Sequence, residues 1–163
     1  MKTTLRLFAL IATLASAMLL GACGSKPVTL ADLPVYEGAT ELKPGESNLA
    51  DTLQQNGQQS TAMGQALGAG GSTEQKGFDL PAETTWDQVK TFYTDKLKAS
   101  GWAEGMSGPG ASIANQALSQ VNQGNDLFQM TIFSKDKQTL TVMRVADPTD
   151  ATKVQLILSL STQ

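Results

Sequence analysis

The sequence predicts an α+β fold: one helix packed on an antiparallel sheet ending in a three-strand meander, with Gln/Gly-rich, partly helical insertions. Three observations carry this. Val154, Leu156, Leu158 and Leu160 alternate with Gln155, Ile157, Ser159 and Ser161, the period of a strand with two unlike faces. Trp86, Val89, Phe92, Tyr93 and Leu97 recur at spacings of 3, 3, 1 and 4, which is one face of a helix. Of the eight aromatic residues beyond position 23, seven fall between Phe78 and Phe133, so the second part of the chain builds most of the core.

In chain order, residues 24–32 are poor in apolar mass and read as a tether. Leu33, Pro34, Val35 and Tyr36 read as a short edge strand, followed by a turn at Glu37 and Gly38. Residues 46–73 mix five glutamines with glycines. Leu49, Leu53, Met63 and Leu67 would share a helical face, but Asn56 and Ser60 interrupt it, which predicts one or two weak helices that add little stability. Lys76 to Leu80 reads as a strand closed by Pro81. Thr84 and Thr85, three residues ahead of Asp87 and Gln88, are N-cap candidates for the helix of Trp86 and Leu97. Lys96 and Lys98 suit its C-terminal dipole, and Gly101 ends it.

Gly108, Pro109 and Gly110 break the chain before a second weak helix carrying Ile113, Ala114, Ala117, Leu118 and Val121. Three strands then follow. In the first, Phe128, Met130 and Ile132 alternate with Gln129 and Thr131. In the second, Leu140 and Val142 oppose Thr141, Met143 and Val145, and the third is the Val154 strand. The polar turns Lys135-Asp136-Lys137 and Asp147-Pro148-Thr149-Asp150 separate them.

Composition excludes much chemistry. With no His and one Cys, the chain lacks His-based acid/base groups, a Cys–His nucleophile, the usual zinc ligand sets and an intramolecular disulfide. Its 12 basic and 15 acidic residues offer no field for nucleic acid. Gly68-Ala69-Gly70-Gly71-Ser72 lacks the Lys-Ser/Thr of a phosphate loop, and Asp147 and Asp150 lack a calcium-loop ligand ladder. Neither a metal nor another cofactor is expected. Trp86 and Trp102 are expected to serve the core rather than a ligand.

The N-terminus is informative. Lys2 and Arg6 precede an apolar run at residues 7–20, broken only by Thr13 and Ser16. At ~1.5 Å per residue the run reaches ~21 Å, short of the ~30 Å hydrocarbon core, so it reads as a processing signal. It ends in Leu20, Gly21, Ala22 and Cys23, and here the chain resembles the bacterial lipoprotein family, in which an aliphatic residue and two small residues precede the Cys that is lipidated. The resemblance implies acylation of Cys23 and cleavage before it by the lipoprotein signal peptidase. The chain then divides into a signal peptide (1–22), a lipidated tether (23–32) and a single α+β domain (33–163) whose segments 46–73 and 106–124 are flexible or weakly helical insertions. Removal of Lys2 and Arg6 leaves 10 basic against 15 acidic residues. Because Gly24 rather than Asp follows Cys23, the family pattern favours the periplasmic face of an outer membrane in a Gram-negative source.

Residues 85–102, with Phe92-Tyr93, Leu97 and Gly101-Trp102, and the opening Tyr36-Glu37-Gly38-Ala39 also resemble small exported modules of uncharacterised function. That resemblance implies a fold and no activity. Two functional readings stand: a membrane-anchored binding or structural module of the cell envelope with an envelope-protein partner, or a small envelope hydrolase or isomerase using Asp, Glu, Lys or Ser.

Overall fold

The computed structural model of the chain describes residues 26–66, 71–146 and 152–163. It begins with a 3-10 turn (Leu30–Asp32), strand β1 (Thr40–Glu41), helix α1 (Asn48–Ala66), β2 (Ser72–Leu80), α2 (Trp86–Ala99) and β3 (Ala103–Glu104). Helix α3 (Ala111–Asn122) and strands β4 (Phe128–Lys135), β5 (Gln138–Ala146) and β6 (Val154–Thr162) follow. The strands form one antiparallel sheet of six in the order β1-β2-β6-β5-β4-β3, so β4, β5 and β6 are the expected meander. The expected leader with Leu20 to Cys23, the glycine-rich run at Gly68 to Gly70 and the expected turn at Asp147 and Asp150 lie outside the described residues.

One face of the sheet carries the core. Val154, Leu156, Leu158 and Leu160 of β6 are each at most 2% exposed. Leu158 pairs with Val142 and Leu160 with Leu140, while Phe78 and Leu80 of β2 lie opposite Leu156 and Val154. Onto this surface α2 lays Trp86, Val89, Tyr93 and Leu97. Trp102, Leu30 and Leu33 close the edges, so both tryptophans are buried. The helix starts where its sequence says it must. The Thr85 Oγ1 accepts the Gln88 N–H and the Gln88 Oε1 accepts the Thr85 N–H, a complete capping box. It stops where Gly101, at φ +82°, allows Trp102 N–H to turn back to the Leu97 carbonyl at 3.0 Å.

Two segments depart from the reading of the sequence. Leu33 to Tyr36 is not a strand. Pro34 has no N–H to give a ladder and Leu33 is drawn into the core, so the chain crosses the helix side of the sheet and pairs only at Thr40 and Glu41. In β4, Thr131 and Phe133 are the residues aimed at the α2 core; Met130 and Ile132 lie on the opposite face, half-buried. Both Gln/Gly-rich segments carry helices as expected, and the first is a single helix of 19 residues. It runs through Gly57, which lies over Thr73 and Gln75 of β2; a Cβ there would make only ordinary contact, 3.4 Å from Thr73 Cγ2.

Helix α1 packs on the second face of the sheet over β2, and α3 packs beside β4. The N-terminus of α1 is fixed by Ser47, whose Oγ accepts the Ala50 N–H and donates to Gln155 Oε1 at 2.7 Å. Ile157 lies beneath this helix and is 1% exposed. Among the described residues, no helix is long and apolar enough to cross a membrane.

Candidate functional site

The domain meets the segment leading back to Cys23 at one end of the sheet, where Ser72, Thr162, Gln138 and Lys135 align across the strands. Gln138, only 5% exposed, uses its whole amide here. Its Oε1 accepts the Val28 N–H at 2.9 Å, and its Nε2 donates to the Val28 carbonyl at 2.8 Å and to Thr162 Oγ1 at 2.9 Å. Two residues on, Leu30 N–H donates to Glu74 Oε2 at 3.0 Å while the Leu30 side chain is buried. Asp32 Oδ2 then accepts both the N–H and the hydroxyl of Thr29, and these bonds hold its carboxyl below the ordinary value of 3.8. Thus the stretch expected to hang as a tether through position 32 is fixed to the domain from Val28 onward.

The same device recurs twice. Asn122 Nδ2 donates to the Met130 carbonyl at 2.7 Å and its Oδ1 accepts the Met130 N–H at 2.8 Å. Asn115 does the same to Met106, at 2.8 Å for the N–H and 3.4 Å for the carbonyl. These asparagines stand seven residues apart on α3, two helical turns, and so face the same side. Helix α3 has no fully buried side chain, Leu118 being half-buried and Ile113 74% exposed, and amide pairing fastens it to β4 at Met130 and to the loop at Met106.

Among the described residues the buried serines are Ser47 and Ser134; the first is the α1 cap and the second donates to the Gly105 carbonyl at 2.8 Å. Lys76–Glu41 and Lys90–Glu104 are ion pairs at 3.0 Å between partly exposed side chains on separate elements. Arg144 of β5 donates to the carbonyls of Thr84 and Asp126 and to Gln129 Oε1, which ties two loops to strands β4 and β5; burial lowers its pKa, and the nearby Asp126 charge opposes that. No group of three or more Cys, Asp or Glu converges among the described residues.

The clefts are shallow. One, about 510 Å³, lies over Tyr36, Phe92, Glu37 and Asp87, where the two rings meet edge to face at 5.2 Å. Another, about 270 Å³, runs between α1 and β2 past Gln54, Gln75 and Lys76. Comparison with known proteins finds no family model, no curated protein and no solved structure that matches this chain.

Of the residues singled out in the sequence, Trp86 and Trp102 belong to the core, and the lipidation residues lie outside the described part. The amide clamps of Gln138, Asn115 and Asn122 were not found from sequence. A Gln at the start of a strand and two Asn on a polar helix carry no pattern that separates them from solvated residues.

Proposed function

We propose that this chain is a lipoprotein of the bacterial cell envelope, anchored through acyl chains on Cys23, whose domain acts as a binding or structural module. The observation that carries the reading is the sole cysteine at the end of Leu20-Gly21-Ala22-Cys23, after a basic start and an apolar run too short to span. Several acyl chains at ~0.8 kcal/mol per buried CH₂ make such an anchor effectively permanent. The signal peptide is residues 1–22, and the remainder from Cys23 is the exported module. The module reading is preferred to a hydrolase because both buried serine hydroxyls are committed to structural bonds and the interior is filled by the α2–sheet core.

The test is expression of the wild type and Cys23→Ser with an alkyne fatty-acid label. Wild type is expected to take the label, gain acyl mass on Cys23 and fractionate with membranes. The Cys23→Ser chain should take no label and leave the membrane fraction. A wild-type Cys23 with no acyl mass would overturn the anchor.

A further inference from the structure

The sheet's two ends differ in charge. At the end where Val28 is clamped stand Lys26, Lys96, Lys98, Lys135 and Lys137 against Asp32, Glu74, Asp95 and Asp136. At the opposite end, around Leu80, Val154 and Phe128, stand Glu37, Asp79, Glu83, Asp87 and Asp126 against Arg144 and Lys153. The basic end is held together by direct contacts. Lys135 Nζ donates to the Ser100 carbonyl at 2.8 Å, which brings the Lys98 turn of α2 beside the β4–β5 hairpin; Gln163 N–H donates to the Lys137 carbonyl at 2.9 Å. Lys26, Lys98 and Lys137 are exposed.

We propose that this end of the sheet docks on anionic phospholipid, with Lys98 and Lys137 at the headgroups and the acidic end pointing away from the bilayer. The inference rests on the lipid anchor proposed above. Five residue steps separate Cys23 from Val28, at most ~18 Å of extended chain, so an acylated Cys23 keeps the clamped corner within reach of the headgroups. With five lysines against four carboxylates at the clamped end and two cations against five carboxylates at the other, an anionic surface favours the orientation that places the clamped end down. Each lysine near such a surface favours the docked orientation by about fivefold, and the preference falls off within a Debye length.

The test uses the full lipidated protein in vesicles of phosphatidylcholine with and without phosphatidylglycerol. Lysine acylation by a water-soluble active ester is followed site by site by mass spectrometry. Lys98 and Lys137 are expected to react at least about fivefold more slowly when phosphatidylglycerol is present, with Lys43 and Lys153 unchanged. Raised salt should abolish that difference. In Lys98→Glu/Lys137→Glu, which alters exposed side chains only, the protein should stay acylated and membrane-bound while Lys135 loses its lipid-dependent protection. Equal rates in the two kinds of vesicle, or protection of Lys43 and Lys153 instead, would overturn the docking and leave the anchor standing. The acyl mass on Cys23 is read in the same digest, and its absence would overturn both.

Discussion

Gln138 and Val28 form a closed pair: both backbone polar groups of Val28 bond to one buried side-chain amide 110 residues away in sequence, at 2.8 and 2.9 Å. The pair satisfies, at the end of the central strand β5, two backbone groups that have no ladder partner. It makes the chain leave the domain at a fixed point instead of swinging from Leu33. Gln138→Ala removes both bonds and uncovers the Val28 backbone. A loss of about 1–3 kcal/mol is expected, since each bond contributes about 1 kcal/mol and the site is largely shielded from water. Urea unfolding of the wild type and variant measures it. Limited proteolysis should then cut between residues 26 and 33, where the wild type resists.

Tyr93 is buried to 0% exposure, and its hydroxyl finds no hydrogen bond of good geometry among the described residues. Burial pushes its pKa well above the ordinary 10.0, and the neighbouring Tyr36 backbone opposes this only in part. The sign follows from proton binding. Above pH 10.0 the unfolded chain loses the phenolic proton while the native state keeps it, so stability falls as pH rises from there toward the raised native value. Tyr93→Phe should therefore be as stable as wild type at neutral pH, or more stable by up to about 1 kcal/mol, because an unpaired buried hydroxyl is removed. Its thermal midpoint should fall less between neutral pH and strongly alkaline pH. A variant as alkali-sensitive as the wild type would show that Tyr93 does not set that limb.

Helix α3 presents a different balance. Because no side chain of α3 is fully buried, Asn122 and Asn115 hold it where a buried apolar stripe ordinarily would. Asn122→Ala should release the C-terminal half of the helix without unfolding the domain. Amide hydrogen exchange over residues 116–123 is expected to accelerate strongly, while β5 and β6 keep their protection. The global midpoint in urea should move by about 1 kcal/mol or less. Equal loss of protection in β6 would mean that α3 belongs to the cooperative core.

What could be read in the sequence was the part governed by periodicity. The alternation at Val154 to Leu160 and the helical face from Trp86 to Leu97 each report burial of one side against a common core, and the structure puts both there. The Thr85–Gln88 box was legible for the same reason: both partners lie within one turn. The rest depends on contacts between distant positions. That Gly57 of α1 lies over Thr73 and Gln75 follows only from the packing of the helix on β2. Phe128, Met130 and Ile132 alternate well, yet the other parity reaches the α2 core, because Phe133 is registered with Leu140. The Gln138 clamp could not be seen at all, since its partner lies 110 positions away and offers only backbone.

The closest approach of α1 to the sheet supplies the last prediction. A Cβ built on Gly77 of β2 would come 3.0 Å from Ala50 Cβ and 3.3 Å from Leu42 Cδ1. Leu42 can rotate away, but Ala50 is carried by the helix backbone, so a larger residue at 77 must lift α1. That movement would uncover Ile157, now 1% exposed, and strain the Ser47–Gln155 bond at 2.7 Å. Gly77→Val should cost about 1–3 kcal/mol, as overpacking of a close contact does. Gly77→Ala with Ala50→Gly moves the one methyl from the helix to the strand and restores the spacing. The two single changes are expected to destabilise and the pair to recover part of the sum, less the ~0.5–1 kcal/mol that Gly costs in a helix. A double-mutant cycle in urea reads this coupling directly. Strict additivity, with Gly77→Val neutral, would show that α1 rides loosely on the sheet and that residues 46–73 contribute as little to stability as their composition suggests.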